Sequence, residues 1–224
     1  TVNGDAVNAG DYTYTATLTD AKYAQNFTFG TATGNISITP LEITVALKDY
    51  AFTYSGNAYA LSVADAVTIS NPLVKPEDIT LTYPELKNAG DYTYEATVAD
   101  AHGNFTISKN AGNVKINKLA VNVTLNNLSK VYDGADYRVT ETAAIHSISS
   151  ALLTAADFNL TFTDGRTEHT DVGTYSFRLV LKAAVAGNFQ VTFTGGSAAI
   201  TPRAVIITTQ TAEMTYTGVK LEGG

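Results

Sequence analysis

The chain has no cysteine and no tryptophan, one methionine and five prolines among 224 residues. Without cysteine there are no disulfides, no thiolate nucleophile and no Cys-based zinc site. Charge is also scarce, at 16% Asp, Glu, Lys and Arg against a usual value of about a quarter. The balance is acidic, with a net charge of −7 and a pI near 4.8. Such a surface disfavours nucleic acid and anionic lipid as partners. No run of 18 apolar residues is present, so no membrane insertion through a long apolar helix is expected. No signal peptide stands at Thr1, although a mature or excised chain would show none. Nucleotide and hydrolase signatures (Walker loop, G-x-S-x-G elbow, H-E-x-x-H) are missing as well.

What remains is apolar and β-prone. Apolar residues make up 45% of the chain, enough for packed cores, with 13 Tyr and 9 Phe. Together with abundant Thr and Val these favour strands over helices. The sequence also repeats itself. NAGDYTYTATL at 8–18 returns as NAGDYTYEATV at 88–98. Tyr54-Ser55-Gly56, Tyr132-Asp133-Gly134 and Tyr216-Thr217-Gly218 follow one another at spacings of 78 and 84 residues. Asn26-Phe27, Asn104-Phe105 and Asn188-Phe189 keep the same two spacings. Landmarks in fixed order at a fixed period signal a tandem array. Complete units are expected at 40–117 and 118–201. Residues 1–39 read as the closing part of an earlier unit, and 202–224 as the opening of a later one.

Each unit opens on strict alternation: Leu41, Ile43, Val45, Leu47, then Leu119, Val121, Val123, Leu125, and a third copy at Val205 and Ile207. Period two predicts a strand with one buried face. Further strands are expected at Tyr12–Leu18, Tyr92–Val98 and Tyr175–Leu181. Others are expected at Phe27/Phe29, Phe105/Ile107 and Phe189/Val191/Phe193, and at the Ile36/Ile38 copies. DITLTY at 78–83 and DFNLTF at 157–162 read as strands too, while 143–156 fits either a short helix or a strand plus loop. Short strands about ten residues apart predict an all-β fold, with tandem Ig-like sandwiches or a related β-fold.

The repeated motif has a structural explanation. In Ig-like sandwiches a Tyr near a strand start bonds back to the backbone and forms a corner. Tyr12, Tyr92 and Tyr175 suit that role. Gly10, Gly90 and Gly173, two residues earlier, are expected to permit a tight turn. A catalytic residue is rarely needed once per repeat, whereas a corner is. The Tyr54/Gly56 and Tyr132/Asp133/Gly134 landmarks are read as turn and core residues in the same way.

These residues carry a resemblance. KVYDG at 130–134 resembles the signature of bacterial YDG domains, and 171–202 is similar to the closing half of YDG and MBG domains. FTYSGNAY at 52–59, followed by NAGDYTY, resembles a divergent sibling. The resemblance implies a stalk module of large bacterial cell-surface or secreted adhesins, extracellular and without catalytic residues. Absence of cysteine beside Thr- and Asn-rich sequence fits a bacterial surface protein.

Elsewhere the search for chemistry finds little. His102, His146 and His169 occupy different places in their units, and metal binding needs convergent ligands. Asp20 and Asp100 sit at equivalent positions that could serve calcium at a junction, but the third copy has Lys182 nearby. Scattered carboxylates such as Glu77 and Asp78 suggest no glycosidase pair. The expected protein is therefore not an enzyme and has no cofactor and no metal. Its partners would be neighbouring repeats or head-to-tail copies. A carbohydrate- or mucin-binding module is the alternative, for which Tyr59, Tyr83 and Tyr137 should be exposed together. Two-residue gates between units, with Pro40 and Pro202 fixing the backbone, predict units stacked end to end as a rod.

Overall fold

The computed structural model describes residues 6–220 except 19, 29, 31 and 212. Phe29 and the extreme termini therefore lie outside the described residues. The protein is predominantly β. It divides into two compact units: residues 1–121 with 183–192, and residues 122–182 with 193–224.

The first unit begins with β1 (Gly10–Ala16) and β2 (Ala32–Ile38), an antiparallel pair in which Gly10 faces Ile38 and Tyr14 faces Gly34. Between them a single helical turn, Ala21–Ala24, is capped by Asp20, whose carboxylate accepts from Lys22 N–H. Phe27 is in no strand, so the expected strand there does not form. Among the described residues this ribbon has no second sheet against it, which leaves Tyr14 41% exposed.

Two sheets then enclose a core. β3 (Leu41–Leu47) runs into β4 (Tyr50–Thr53) after Lys48-Asp49. Next come β5 (Val67–Ile69), β6 (Ile79–Thr82), β7 (Gly90–Val98), β8 (Phe105–Lys109) and β9 (Gly112–Asn117). One sheet has the order β5-β3-β8 and the other β4-β9-β7-β6. The β3–β8 and β4–β9 pairings are parallel and the rest antiparallel. The alternation of β3 buries Ile43, Val45 and Leu47, and these meet Ile79, Tyr94, Ala96, Val114 and Ile116. Burying each large aliphatic side chain contributes about 1.5–3 kcal/mol. Leu41, the first of the expected apolar face, is exposed instead. The helical turn Val63–Ala66 starts where Ser62 Oγ accepts from Asp65 N–H, a standard N-cap, and it buries Ala66.

From Leu119 onward the chain repeats this order with longer strands. β10 (Leu119–Val131) replaces the separate β3 and β4, and β15 (Phe189–Thr201) replaces β8 and β9. β11 (Ile145–Ile148), β12 (Phe158–Phe162), β13 (Gly173–Tyr175) and β14 (Phe177–Leu181) lie between them in the chain. The sheets read β11-β10-β15-β13 and β12-β14. Strand β15 runs on through Gly195 and Gly196, whose φ of +82° and +100° disfavour other residues. The ambiguous stretch 143–156 contains both expected options: the last residues of a helical turn (Glu141–Ala144), then β11 and a loop.

Residues 203–211 form no element, and Val205, Ile206 and Ile207 are 77%, 90% and 85% exposed. The third alternating segment is thus no strand. Alternation specifies a strand only where a ladder and a core receive it, and no described residue pairs with it.

Candidate functional site

The repeated motif builds one local device at each of its copies. Tyr12 Oη donates to the carbonyl of Asn8 at 2.9 Å, Tyr92 Oη to Asn88 at 2.9 Å, and Tyr175 Oη to Asp171 at 2.7 Å. Each tyrosine thereby ties down the loop four residues upstream. The glycines before them act differently from the expected turn. Gly10, Gly90 and Gly173 open strands and pair with Ile38, Ile116 and Ile200. Gly90 and Gly173 have no left-handed φ. The corner ring lies over its own glycine, and a Cβ on Gly173 would come within 3.0 Å of Tyr175 Oη. The glycines that do need a left-handed backbone belong to the other landmark: Gly56 and Gly134, with φ of +80° and +78°. There Ser55 Oγ or Asp133 Oδ1 accepts from the N–H two residues on, the Asx/ST-turn geometry.

A second aromatic–glycine pairing crosses the strands. Tyr14, Tyr94 and Phe177 lie against Gly34, Gly112 and Gly196. A Cβ on Gly112 would sit 2.7 Å from Tyr94 Cδ1 and closer still to Cε1 and Cζ. Tyr94 is 1% exposed, and its hydroxyl reaches the carbonyls of Lys48 at 2.6 Å and Ala66 at 3.1 Å. Burial raises its pKa; Tyr50 and Asp49 add to that, and the bond to Lys48 opposes it.

The Asn before each Phe performs a task that the sequence reading missed. Within the first unit, Asn104 Oδ1 accepts from Ala9 N–H at 2.7 Å, and its Nδ2 donates to Asn8 Oδ1 at 2.9 Å. Also within that unit, Asn188 Oδ1 accepts from Ala89 N–H at 2.8 Å, and its Nδ2 donates to Asn88 Oδ1 at 3.0 Å. The backbone carbonyls of the same two asparagines accept from Leu41 and Leu119 N–H, at 2.9 and 3.0 Å. Beside the second clasp, Tyr54 meets Phe189 edge to face at 5.2 Å. The loop Asn-Ala-Gly-x-Tyr is therefore a docking corner, with its tyrosine holding it in shape and an asparagine reading it. The signal was visible as the third recurrent landmark, but its partner lies 96 to 100 residues away.

At the YDG-like landmark, Lys130 Nζ lies 2.7 Å from Asp133 Oδ1. That side-chain bond first, then the Ala135 N–H, holds the Asp133 carboxyl below its ordinary value. Tyr132 is 40% exposed.

His169 and Asp100 have definite local surroundings. His169 is buried at the bridge to Tyr137, where the first unit has Leu86 bridged to Tyr59. Its ring stacks on Tyr175 at 3.6 Å. Nε2 lies 3.4 Å from Asp164 Oδ2 without hydrogen-bond alignment, so it is a contact and not a bond. Asp100 accepts from backbone N–H groups of its own loop, including Asn104 and Phe105. No cluster of three metal-ligating side chains exists among the described residues.

Tyr59, Tyr83 and Tyr137 are each half-buried and form no joint exposed platform. Tyr59 stacks on Phe52 at 4.2 Å and donates to Thr53 O; Tyr83 Oη bonds to Leu61. An open groove of about 520 Å³ lies in the first unit, with Asp49, Tyr50, Asp91, Tyr92, Asn113 and Lys115 among its walls. No helix among the described residues is long and apolar enough to cross a membrane.

Residues 119–204 match the family model described as MBG domain, and residues 2–42 match a second model also described as MBG domain. Comparison with curated proteins gives no match. Residues 2–42 and 119–204, whose recurrent residues are corners, ring seats and clasps, are thus MBG domains, repeat domains of bacterial surface proteins.

Proposed function

We propose that the chain is a structural stalk or filament segment of a large bacterial adhesin, extracellular and working without catalysis or cofactor. Its repeats, at 40–117 and 118–201 with partial repeats at 1–39 and 202–224, would be Ig-like or related sandwiches stacked end to end. The observation that carries this reading is the twice-used asparagine clasp, which spends the most regular polar residues of the motif on tying sequence-distant loops within the β-fold. Short gates support it. Only Thr39 and Pro40 separate β2 from β3, and only Lys118 separates β9 from β10. Neither gate resembles a flexible Gly/Ser linker. Small-angle scattering tests it: a stiff, extended particle is expected, and an ensemble of freely hinged modules would refute it.

The groove along Tyr50 favours a second reading, glycan binding. Tyr50, Phe52 and Tyr59 stack in succession at 5.6 and 4.2 Å, and Asp49, Asp91, Asn113 and Lys115 offer polar contacts beside them. Titration with mucin-type oligosaccharides checks it. Binding lost in Tyr50→Ala would favour this reading, and no binding at millimolar sugar would end it.

A further inference from the structure

The order of elements that starts at Leu41 recurs from Leu119 onward, so the chain carries its own comparison. Residues kept in both copies serve the frame, and residues present in one copy alone are free for another task. The groove beside Tyr50 is built from the second kind. Tyr50 corresponds to Leu128, Asp65 to Ala143, Asp91 to Thr174 and Lys115 to Ala199, while Lys48 and Asp49 become Asn126 and Asn127. The frame survives these exchanges. Asn113 Nδ2 donates to Asp49 Oδ1 at 2.9 Å, and at the corresponding place Ser197 Oγ bonds to Asn127 Oδ1 at 3.1 Å. Ser62 caps one helical turn, and Thr140 caps its counterpart.

The groove has two lobes that share Asp49 and Tyr50. Asp91, Asn113 and Lys115 wall one lobe, and Lys48, Leu61 and Asp65 wall the other. The half-buried Tyr50 ring is stacked on Phe52 at 5.6 Å. Its hydroxyl has no hydrogen-bond partner among the described residues. Asp91 faces Lys115 across the ladder, yet among the described residues neither side chain has an ion pair or a hydrogen bond. Three carboxylates, of Asp49, Asp65 and Asp91, stand against two ammonium groups, of Lys48 and Lys115, so the groove is acidic on balance. Desolvation first, then the Asp65 charge, raises the pKa of the Tyr50 hydroxyl. The adjoining loop at 88–92 is already engaged by Asn188, and the groove is open all the same.

We propose that this groove takes an uncharged sugar, with one pyranose face on Tyr50 and its hydroxyls bonded to Asp49, Asp91 and Lys115, and that the corresponding surface from Leu119 onward takes none. A pyranose presents an apolar C–H face and a rim of hydroxyls that donate and accept. An aromatic ring bordered by carboxylate acceptors and an ammonium donor matches both features. An acidic sugar brings a like charge to the three carboxylates and is disfavoured. This inference rests on the glycan reading above and names the class of sugar and the place that binds it.

NMR titration of the whole chain with N-acetyllactosamine, and with its sialylated form, tests it. The neutral sugar is expected to shift resonances around Tyr50 and Asp91 and to leave those around Leu128 and Thr174 unmoved. The sialylated form should bind about fivefold more weakly or less well still, and molar salt should narrow that gap by screening. Tyr50→Leu and Asp91→Thr install residues that the frame already accepts at 128 and 174, so both variants should fold, which circular dichroism checks. Each should lose about tenfold in affinity for the neutral sugar. Equal binding of both sugars, or a second site around Leu128, would overturn this inference and leave the glycan reading of the Tyr50 groove standing. Binding of neither sugar, or binding that survives both variants, would overturn the two together.

Discussion

Replacing Gly112 by alanine should damage the first unit far more than replacing Gly90. Both glycines lie at strand starts, and neither has a left-handed φ. A Cβ on Gly90 would meet the Tyr92 ring at 3.6 Å, an ordinary contact. Gly90→Ala is therefore expected to be neutral, or stabilising by about 0.4–1 kcal/mol through the unfolded chain. On Gly112 the added carbon would overlap the Tyr94 ring, with Cδ1 at 2.7 Å. That ring is enclosed at 1% exposure and tethered through Oη to Lys48 and Ala66. Forcing the overlap costs about 1–3 kcal/mol as overpacking. Letting the ring swing away instead strands the Lys48 carbonyl, at about 1–3 kcal/mol, while Ala66 O keeps the Lys48 N–H, and it gives up part of the ring's burial. An overall loss of about 2–5 kcal/mol follows by either route. Urea unfolding followed by tyrosine fluorescence measures it, since the chain has no tryptophan. A partner variant, Tyr94→Leu, should remove most of the penalty when combined with Gly112→Ala, giving a large coupling energy. Equal costs for Gly90→Ala and Gly112→Ala, or additivity in the double variant, would refute the ring-seat explanation of the recurrent glycine.

Three other outcomes follow from the same geometry. His169→Leu should stabilise the second unit by about 1–2 kcal/mol, because Nε2 is buried without a hydrogen bond and Leu86 fills the equivalent bridge; a fall in Tm would contradict this. Asn188→Ala should cost about 1–3 kcal/mol and speed hydrogen exchange at Ala89 N–H while leaving Ala9 N–H unchanged; equal acceleration at both would refute independent clasps. Desolvation raises the Asp100 carboxyl, yet the N–H groups of Asn104, Phe105, His102 and Gly103 together outweigh it and leave its pKa lowered. Its stabilising effect is thus present above the unfolded-state value, about 3.9, and lost as pH falls through the folded one. Carboxyl NMR should show the Asp100 midpoint below that of an aspartate in an unstructured capped peptide, and Asp100→Asn should flatten the acid limb of stability.

Much of the fold was legible because its signals are local. Alternation at 41–47 and 119–125 placed β3 and β10, and the motif at 88–98 placed β7 with its corner tyrosine. The missed features are those that only pairing creates. Tyr94 and Gly112 are 18 residues apart and meet across a ladder, so the glycine reads as a turn until the register is known. Asn188 and Asn88 are 100 residues apart. Val205 and Ile207 carry the same alternation as Ile43 and Val45, yet they stay uncovered because a strand also depends on neighbours. The place of His169 in a core position that Leu86 holds in the first unit needed the bridge to Tyr137.

The clasp also bears on how such sequences change over generations. At each closed clasp the asparagine reads a main-chain N–H and one Asx side chain, and its own main-chain carbonyl takes another N–H. The side chains that must be kept in the genetic text are the Asx, the asparagine and the tyrosine that shapes the loop; the other contacts are backbone and tolerate substitution. A gene segment encoding one module can accordingly be copied, deleted or moved beside a divergent sibling, and the new neighbours already share the grammar of the joint.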